Sequence, residues 1–237
     1  MTYQDKVRLV RNNIVSNAQV YKNILAGKYY LYIFENQCFE MYFGTDNYLH
    51  LTGVGSRVGP NQFYELAKNN QLQDNQLFFS NRFPLKTALQ KTSSLSCLPN
   101  FISEGYFVIK DLVTETETYP YVITNIEQSV LIGLKKEENE EIYIPKSFRV
   151  KGNIFDKADA NKLFEINWIL SKIDKKGLYD KVLYKDKVCL GELDNSILCK
   201  IEIKMQEEVI NCAHTRMEYK SSYKLFGEKH NSNVCNK

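Results

Sequence analysis

Two segments rich in tyrosine, phenylalanine and isoleucine follow each other almost without interruption early in the chain. They span residues 28–35 and 37–43, and the polar stretch Glu35, Asn36 and Gln37 lies at their junction. Aromatic and β-branched residues favour strands, and a short polar break between two such runs is typical of a hairpin turn. The sequence therefore predicts a β-hairpin here, and the rest of the chain has to supply a sheet that contains it.

Helical and strand patterns occur in blocks around this hairpin. Apolar residues at spacings of three and four predict helices over residues 2–26, 60–69 and 84–92. Strands are predicted over residues 105–113, 119–125, 129–135 and 141–144. Pro145 cannot donate a backbone hydrogen bond and is expected at a sheet edge or outside the sheet. The order helix, strands, helices, strands predicts an α+β fold, a mainly antiparallel sheet with flanking helices.

The last third of the chain is predicted to add a helix and two further strands. Residues 156–173 place Leu163, Ile166, Ile169, Leu170 and Ile173 on one helical face. A short turn of helix is expected within residues 175–184, and strands at 188–190 and 196–204. The polar stretch 206–237 is expected to be partly disordered near its end. We therefore expect one α+β domain over residues 1–185 and a C-terminal extension over residues 186–237.

Composition fits a globular protein without a membrane segment. The chain has 237 residues, 43% of them hydrophobic and 25% charged, with a formal net charge of +3. This mild basicity is compatible with nucleic-acid binding but does not indicate it. We find no run approaching the ~20 apolar residues of a membrane helix and no basic-then-apolar leader. A cytoplasmic protein is expected. With no CxxC pair and no zinc-finger spacing, neither a metal nor a cofactor is expected.

The residues that suggest chemistry follow the hairpin directly. His50 is one of three histidines, and Thr52 lies two positions on. In an extended backbone, which the alternation of residues 39–55 predicts, both side chains would point to one face. Gly53 and Gly55 would expose bare backbone beside them. This arrangement suits an acid/base corner. A histidine in a half-buried strand is, however, more often a hydrogen-bonded structural residue than a catalyst, and strand propensity alone explains a threonine.

The segment Asn47-Tyr-Leu-His-Leu-Thr-Gly53 also resembles a known family. It is similar to a motif of the phage-associated Barnase–EndoU–colicin–RelE-like nuclease family, in the subgroup that carries His-Leu-Thr-Gly. The preceding Phe39-Glu-Met-Tyr-Phe43, the following Asn61-Gln-Phe-Tyr-Glu65 and a lysine-containing helix like Leu85-Lys-Thr-Ala-Leu89 match the same order of elements. Pro145-Lys-Ser147 matches a late Pro-x-Ser-like element more loosely. The resemblance covers roughly residues 29–184.

The resemblance implies an RNase-toxin-like fold. A helical N-terminus would pack on a four-stranded antiparallel sheet whose face carries the active site. Members of the wider class act on RNA without a metal, often as toxins of phages or mobile elements. RNA would then be the partner, together with a protein antitoxin or a host protein, and no membrane would be involved. Fold-level analogy alone does not establish activity.

Metal-independent RNA cleavage requires a base for the 2′-OH, an acid for the departing 5′-oxygen and donors for the phosphate. His50 is the candidate base or acid because histidine titrates near neutral pH. Thr52 would donate to a phosphate oxygen, and Arg149 would clamp the phosphate with its planar fork. Further predicted substrate contacts are Gly53 through its backbone, Lys86 and Lys146 through charge, and Ser147 and Arg57 as donors.

One departure from such nuclease sites is the single histidine in the matched region. His214 and His230 lie in the extension, so the second proton-transfer group would have to be a lysine, a tyrosine or a glutamate such as Glu40 or Glu65. Three functions stay open on these residues. The chain is a ribonuclease, a non-catalytic RNA- or protein-binding module, or a phage inhibitor of a host enzyme. The first predicts donors that converge around His50, and the second a basic surface without convergence. The third predicts an exposed apolar patch away from His50.

Overall fold

The computed structural model describes residues 1–114, 117–150, 163–186 and 188–207. Its first half is mainly helical around one hairpin: α1 (Tyr3–Ile24), β1 (Tyr29–Phe34), β2 (Gln37–Tyr42), α2 (Asn47–Thr52), β3 (Gly55–Ser56), α3 (Pro60–Lys68), β4 (Leu77–Phe78), α4 (Leu85–Ser93) and a 3₁₀ segment (Leu95–Ile102). Its second half is mainly strands: β5 (Tyr106–Val113), β6 (Thr118–Asn125), β7 (Val130–Lys136), β8 (Ile142–Val150), β9 (Leu163–Glu165), β10 (Trp168–Lys172), β11 (Lys181–Lys185), and then a 3₁₀ turn (Leu190–Glu192) and α5 (Asn195–Leu198).

Nine of the described strands form one sheet, in the order β11-β10-β1-β2-β8-β7-β6-β5-β9. Every neighbouring pair in it is antiparallel except β2 and β8, which run parallel and pair only at Glu40–Ile142 and Met41–Tyr143. The α+β fold with a mainly antiparallel sheet is thus confirmed. The sheet is larger than the four strands that the resemblance implies. None of the described helices is long and apolar enough to cross a membrane.

The predicted hairpin lies in the interior of this sheet, as its third and fourth strands. Its turn residues Glu35 and Asn36 both have positive φ, 44° and 55°, as a tight hairpin turn requires. Strand β1 is buried on both faces, because Tyr30, Tyr32 and Phe34 point to the helical layer. Leu31 and Ile33 point the other way. The hairpin is therefore structural core.

Helix α1 packs into the core on the first face of the sheet, and its sequence explains both its start and its buried side. Thr2 and Asp5 form a capping box at its start. Its buried residues Val7, Val10, Ile14, Ala18 and Tyr21 recur every three or four positions.

Residues near the C-terminus cover the second face. Leu190, Leu193, Ile197, Ile201 and Met205 pack on Leu31, Ile33, Trp168 and Leu170. The half-buried Glu40 is held there as well. It accepts a hydrogen bond from the Tyr179 hydroxyl at 2.9 Å and pairs with Lys200 and Lys172. The predicted division at residue 185 stays a prediction, and most of the predicted extension, residues 208–237, lies outside the described residues.

The helix predicted over residues 156–173 is wrong where the structure describes it. Residues 163–165 and 168–172 are strands β9 and β10, and residues 156–162 lie outside the described residues. Trp168, Ile169 and Leu170 are all buried, because β10 lies between β1 and β11 and is covered on both faces. A strand buried on both faces is a continuous apolar run, which periodicity does not separate from a buried helix.

The remaining C-terminal predictions also change type. Residues 181–185 are strand β11, not helix. The strands predicted at 188–190 and 196–204 are replaced by the 3₁₀ turn and by α5. Asp194 caps α5 by accepting a hydrogen bond from the Ser196 backbone N–H at 2.7 Å. An aspartate at this position starts a helix where the apolar spacing suggested a strand.

Candidate active site

The His50 segment is a helix, so the extended backbone predicted for it is wrong. Tyr48 and Leu51 are buried one turn apart, which fixes the inner face of α2. The Asn47 side chain accepts a hydrogen bond from the Gly44 backbone N–H at 2.8 Å, and Gly53 ends the helix at φ +74°. Residues two positions apart in a helix point about 200° apart. His50 and Thr52 therefore do not share a face.

Thr52 lies in the core. Its side chain is fully buried, and its hydroxyl donates to the Leu49 carbonyl at 2.7 Å. The same hydroxyl accepts a 3.4 Å hydrogen bond from the Val54 backbone N–H. These bonds satisfy the hydroxyl inside the helix end, so the predicted donation to a substrate phosphate has no geometric support.

His50 lies on the outer side of α2, exposed, where this helix packs against β8. Partial loss of hydration and the positive charge of Lys146 on β8 lower the pKa of His50, against the opposing effect of Asp46. The imidazole is therefore mainly neutral at neutral pH. A neutral imidazole beside a cation can accept a proton from a bound hydroxyl group.

Lys146, the cation that acts on His50, is part of a β-bulge in β8. In the pairing of β7 with β8, Gly133 lies opposite Ser147 and Leu134 opposite Pro145, so Lys146 is the extra residue between them. Pro145 therefore lies within β8 and not outside the sheet, and only its β7 side is paired, so its position at a local sheet edge agrees with the prediction. It sits beyond Tyr143, where β8 no longer pairs with β2. Lys146 is exposed, and its charge acts on His50 of α2.

Arg149 is held by two side chains near the end of β8. Its Nε donates to the Ser147 hydroxyl at 3.3 Å and its Nη2 to the Tyr119 hydroxyl at 3.4 Å. The guanidinium carbon lies 5.7 Å from the centre of the Tyr119 ring. This ring is seated over Gly133, where an added Cβ would come within 2.7 Å of ring atoms. Two long hydrogen bonds and the Tyr119 ring thus orient the guanidinium, and no carboxylate of the described residues pairs with it.

A fourth basic residue, Lys91 on α4, was not found by sequence reasoning. Its side chain passes over Gly53: a Cβ at Gly53 would lie 2.6 Å from the Lys91 Cδ and 3.5 Å from its Nζ. Burial, together with the charge of Arg149, lowers the pKa of Lys91 to about 8. The sequence places Lys91 on a predicted helix but contains no signal that brings this helix to the end of α2.

Four basic residues thus lie on packed elements: Lys146 of β8 acts on His50 of α2, and Arg149 of β8 acts on Lys91 of α4. Both helices pack against β8, just beyond the point where β8 separates from β2. We call His50, Lys91, Lys146 and Arg149 the cationic site. Within the described ranges, no aspartate or glutamate lies within 4.0 Å of its lysine and arginine nitrogens. Unpaired cations that converge in this way suit a phosphate group.

The chain's relationship to known proteins agrees with this arrangement. The model of a family described as phage-Barnase-EndoU-ColicinE5/D-RelE like nuclease 4 matches residues 13–209. The chain belongs to this family. Its membership confirms the family resemblance seen in the sequence, over a longer stretch than residues 29–184, while the His-Leu-Thr-Gly subgroup stays a prediction. No significant match is found among curated proteins or among solved structures.

The other predicted substrate contacts of this nuclease-family chain are not part of the cationic site. Lys86 is exposed on α4, five positions before Lys91 and therefore about 140° away around the helix. Arg57 is exposed beside β3, with its guanidinium carbon 6.0 Å from the centre of the Phe78 ring. Ser147 and Gly53 do belong to the neighbourhood, as partners of Arg149 and Lys91.

Neither glutamate considered as an acid partner is free for that role. Glu40 lies on the second face of the sheet with Tyr179, Lys172 and Lys200. Glu65 pairs with Lys68 on α3. Among the described residues, no three His, Cys, Asp or Glu side chains come together in a group that could hold a metal ion.

The contact between Gly53 and Lys91 predicts a specific stability difference between two glycines. Gly27 and Gly53 have nearly the same φ, +75° and +74°, but nothing lies within 4 Å of a Cβ added at Gly27. Gly27→Ala should therefore show only the strain of the left-handed backbone, about 1–2 kcal/mol of unfolding free energy. Gly53→Ala should lose more, because Lys91 must also move. Denaturant unfolding of both variants measures the difference.

A double variant isolates the contribution of the clash. Lys91→Ala removes the Cδ that an alanine at position 53 would meet. In this background Gly53→Ala should lose no more unfolding free energy than Gly27→Ala does. Equal losses for Gly27→Ala and Gly53→Ala in the wild-type background would show that Lys91 is not seated over Gly53.

Proposed function

We propose that this chain is an endoribonuclease that cleaves RNA at the cationic site, with the proton transfers made by its own side chains. The observation that carries the proposal is that Lys146 acts on His50 and Arg149 on Lys91 where α2 and α4 pack against β8. Among the described residues, no carboxylate pairs with Lys91, Lys146 or Arg149. The family to which the chain belongs is one of nucleases, which gives the reaction class. The proposal adds the substrate, RNA, and the residues that act on it.

Phosphate binding is assigned to β8. The guanidinium of Arg149 offers a planar pair of donors that matches two phosphate oxygens. The guanidinium donates hydrogen bonds to the hydroxyls of Ser147 and Tyr119, which orient it before the substrate binds. Lys146 adds a mobile charge on the exposed side, next to His50.

His50 is assigned as the general base. Its lowered pKa leaves the imidazole neutral near pH 7, ready to accept the proton of a ribose 2′-OH. The 2′-oxygen then attacks the adjacent phosphorus, and the bond from phosphorus to the 5′-oxygen breaks. The products are a 2′,3′-cyclic phosphate and a 5′-hydroxyl, so the reaction needs the 2′-OH and excludes DNA as a substrate.

The sequence is also compatible with a non-catalytic binding module and with an inhibitor of a host enzyme. A non-catalytic RNA- or protein-binding module would need a basic surface but no convergence of oriented donors around a neutral histidine. An inhibitor of a host enzyme would need an apolar patch away from His50. The fixed orientation of Arg149 and the lowered pKa of His50 support catalysis over both. We extend the proposal to a phage or mobile-element toxin that acts on cytoplasmic RNA and is held in check by a protein antitoxin.

The test uses the purified full chain and two oligonucleotides of one sequence, an RNA and its 2′-O-methyl form, in buffer with EDTA. We expect cleavage of the RNA to fragments ending in 2′,3′-cyclic phosphate, and no cleavage of the 2′-O-methyl form. Lys22→Ala removes a positive charge from the exposed side of α1 and should cleave as wild type does. Binding of both oligonucleotides without cleavage of either would contradict the proposal and favour the binding module.

A further inference from the structure

RNA cleavage at the cationic site needs a proton donor as well as a base. The departing 5′-oxygen is a poor leaving group as an alkoxide, so it must receive a proton as the bond to phosphorus breaks. His50 cannot supply this proton at the moment when it accepts the one from the 2′-OH. Arg149 cannot supply it either, because a guanidinium does not deprotonate in proteins. The site therefore has one role that the assignments above leave unfilled.

We propose that Lys91 is the proton donor to the departing 5′-oxygen, with its ammonium group positioned by the passage of its side chain over Gly53. This inference rests on the ribonuclease activity proposed above. It goes beyond that proposal by assigning the second proton-transfer group to a residue outside the His-Leu-Thr-Gly segment.

The position of Lys91 supports this role. Its stem lies over the one residue of the α2 end that has no side chain, which brings Nζ to within 3.5 Å of where a Gly53 Cβ would be. Gly53 follows His50 by three residues, so the proposed donor and base lie at the same end of α2. Within the described ranges no carboxylate pairs with Lys91, so its ammonium is not engaged in a salt bridge.

The ionisation of Lys91 agrees with its position. Burial and the nearby Arg149 lower its pKa to about 8, so the ammonium is mainly protonated at neutral pH and still able to release its proton. Four elements pack on α4: β8, α2, α1 and the 3₁₀ segment after α4. The ionisable residues of β8 are Tyr143, Lys146 and Arg149, and those of α2 are Tyr48 and His50. The 3₁₀ segment carries Cys97, and α1 carries Tyr3, Asp5, Lys6, Arg8, Arg11, Tyr21 and Lys22. Among them, Arg149 supplies the electrostatic effect on Lys91.

The complete step balances with these groups. The 2′-OH gives its proton to the His50 imidazole, and the 2′-oxygen forms a bond to phosphorus. The bond from phosphorus to the 5′-oxygen breaks, and the 5′-oxygen takes a proton from the Lys91 ammonium. His50 ends as imidazolium and Lys91 as neutral amine, and proton exchange with water restores both.

The experiment compares two substrates that differ in their need for a proton donor. RNA releases an alkoxide, whereas uridine 3′-(4-nitrophenyl phosphate) releases a phenolate that leaves without protonation. Lys91→Met keeps the apolar stem over Gly53, and Lys91→Arg keeps the charge without a transferable proton. We expect both variants to lose about 100-fold in kcat on RNA while staying within a few-fold of wild type on the nitrophenyl ester. The fall of wild-type RNA cleavage above a pH near 8 should be absent in both.

The outcomes separate this inference from the proposed function. Loss of activity on both substrates by a variant with an unchanged circular dichroism spectrum and melting temperature would make Lys91 a phosphate-binding charge and overturn the inference. Wild-type RNA activity in Lys91→Arg would do the same. If the wild-type protein cleaves neither substrate, the ribonuclease proposal itself is wrong, and this inference is overturned with it.

Discussion

Replacing His50 by alanine is expected to reduce kcat for RNA cleavage by about 10³-fold, in the middle of the range for loss of a general base. The fold should be unaffected, because the side chain lies on the outer side of α2 and is exposed. Rates measured under saturating RNA, together with melting temperatures, check both halves of this prediction. Unchanged cleavage by a well-folded His50→Ala variant would remove His50 from the mechanism.

The pH profile gives a more specific test of the same residue. The base must be neutral, so activity should rise with pH through the lowered pKa of His50. Lys146 is one cause of that lowering, and Lys146→Ala should therefore raise the pKa of His50 and move the rising limb to higher pH. A limb that stays in place after Lys146→Ala, or one that persists in His50→Ala, would assign it to another group.

Replacing Arg149 by alanine is expected to reduce kcat by about 10²–10³-fold, the range for removing one preorganised donor from a charge-stabilising site. Arg149→Lys should recover little of this, because a lysine cannot bond to Ser147, Tyr119 and a phosphate with one planar group. Unlike Lys91→Met, Arg149→Ala should lose activity on RNA and on the nitrophenyl ester alike, since both reactions build charge on phosphorus.

Two further measurements distinguish Arg149 from a merely structural arginine. Tyr119→Phe removes one hydrogen bond to the guanidinium and keeps the ring over Gly133, so it should cause a much smaller loss than Arg149→Ala. Arg149→Ala should also raise the pKa of Lys91, because Arg149 is one cause of its lowering. The falling limb of residual activity would then move to higher pH. Equal effects of Tyr119→Phe and Arg149→Ala would indicate that the guanidinium serves only to hold Tyr119.

Local patterns predict most of the helices and strands up to β8, with the His50 segment as the main exception. The capping box at Thr2, the Glu35–Asn36 turn and the strand-favouring residues of β5 to β8 each act within a few residues, so the sequence carries them directly. The prediction fails at β10, whose type depends on being enclosed between β1 and β11. Enclosure on both faces is a tertiary property, and it turns an alternating strand into an apolar run that resembles a helix.

The residues of the site likewise divide into those predicted from local sequence and those placed by tertiary packing. The sequence predicts His50 because this residue is part of the motif. It predicts Arg149 from its residue type near a predicted strand. Thr52 was assigned from an extended backbone that the burial of Tyr48 and Leu51 turns into a helix. Lys91 was missed because its place depends on how α4 packs against α2 and β8, for which no short-range signal exists.

The parallel pairing of β2 with β8 has a consequence for the order in which a nascent chain acquires its function. Residues leave the ribosome from the N-terminus at about 5–20 per second, and His50 emerges long before Lys146 and Arg149. The hairpin gains its other neighbour, β10, later still, since Tyr30 of β1 pairs with Ser171 of β10. A chain interrupted before β8 carries the motif histidine without its cations. By this order of assembly, the cationic site forms only after the greater part of the protein has been translated.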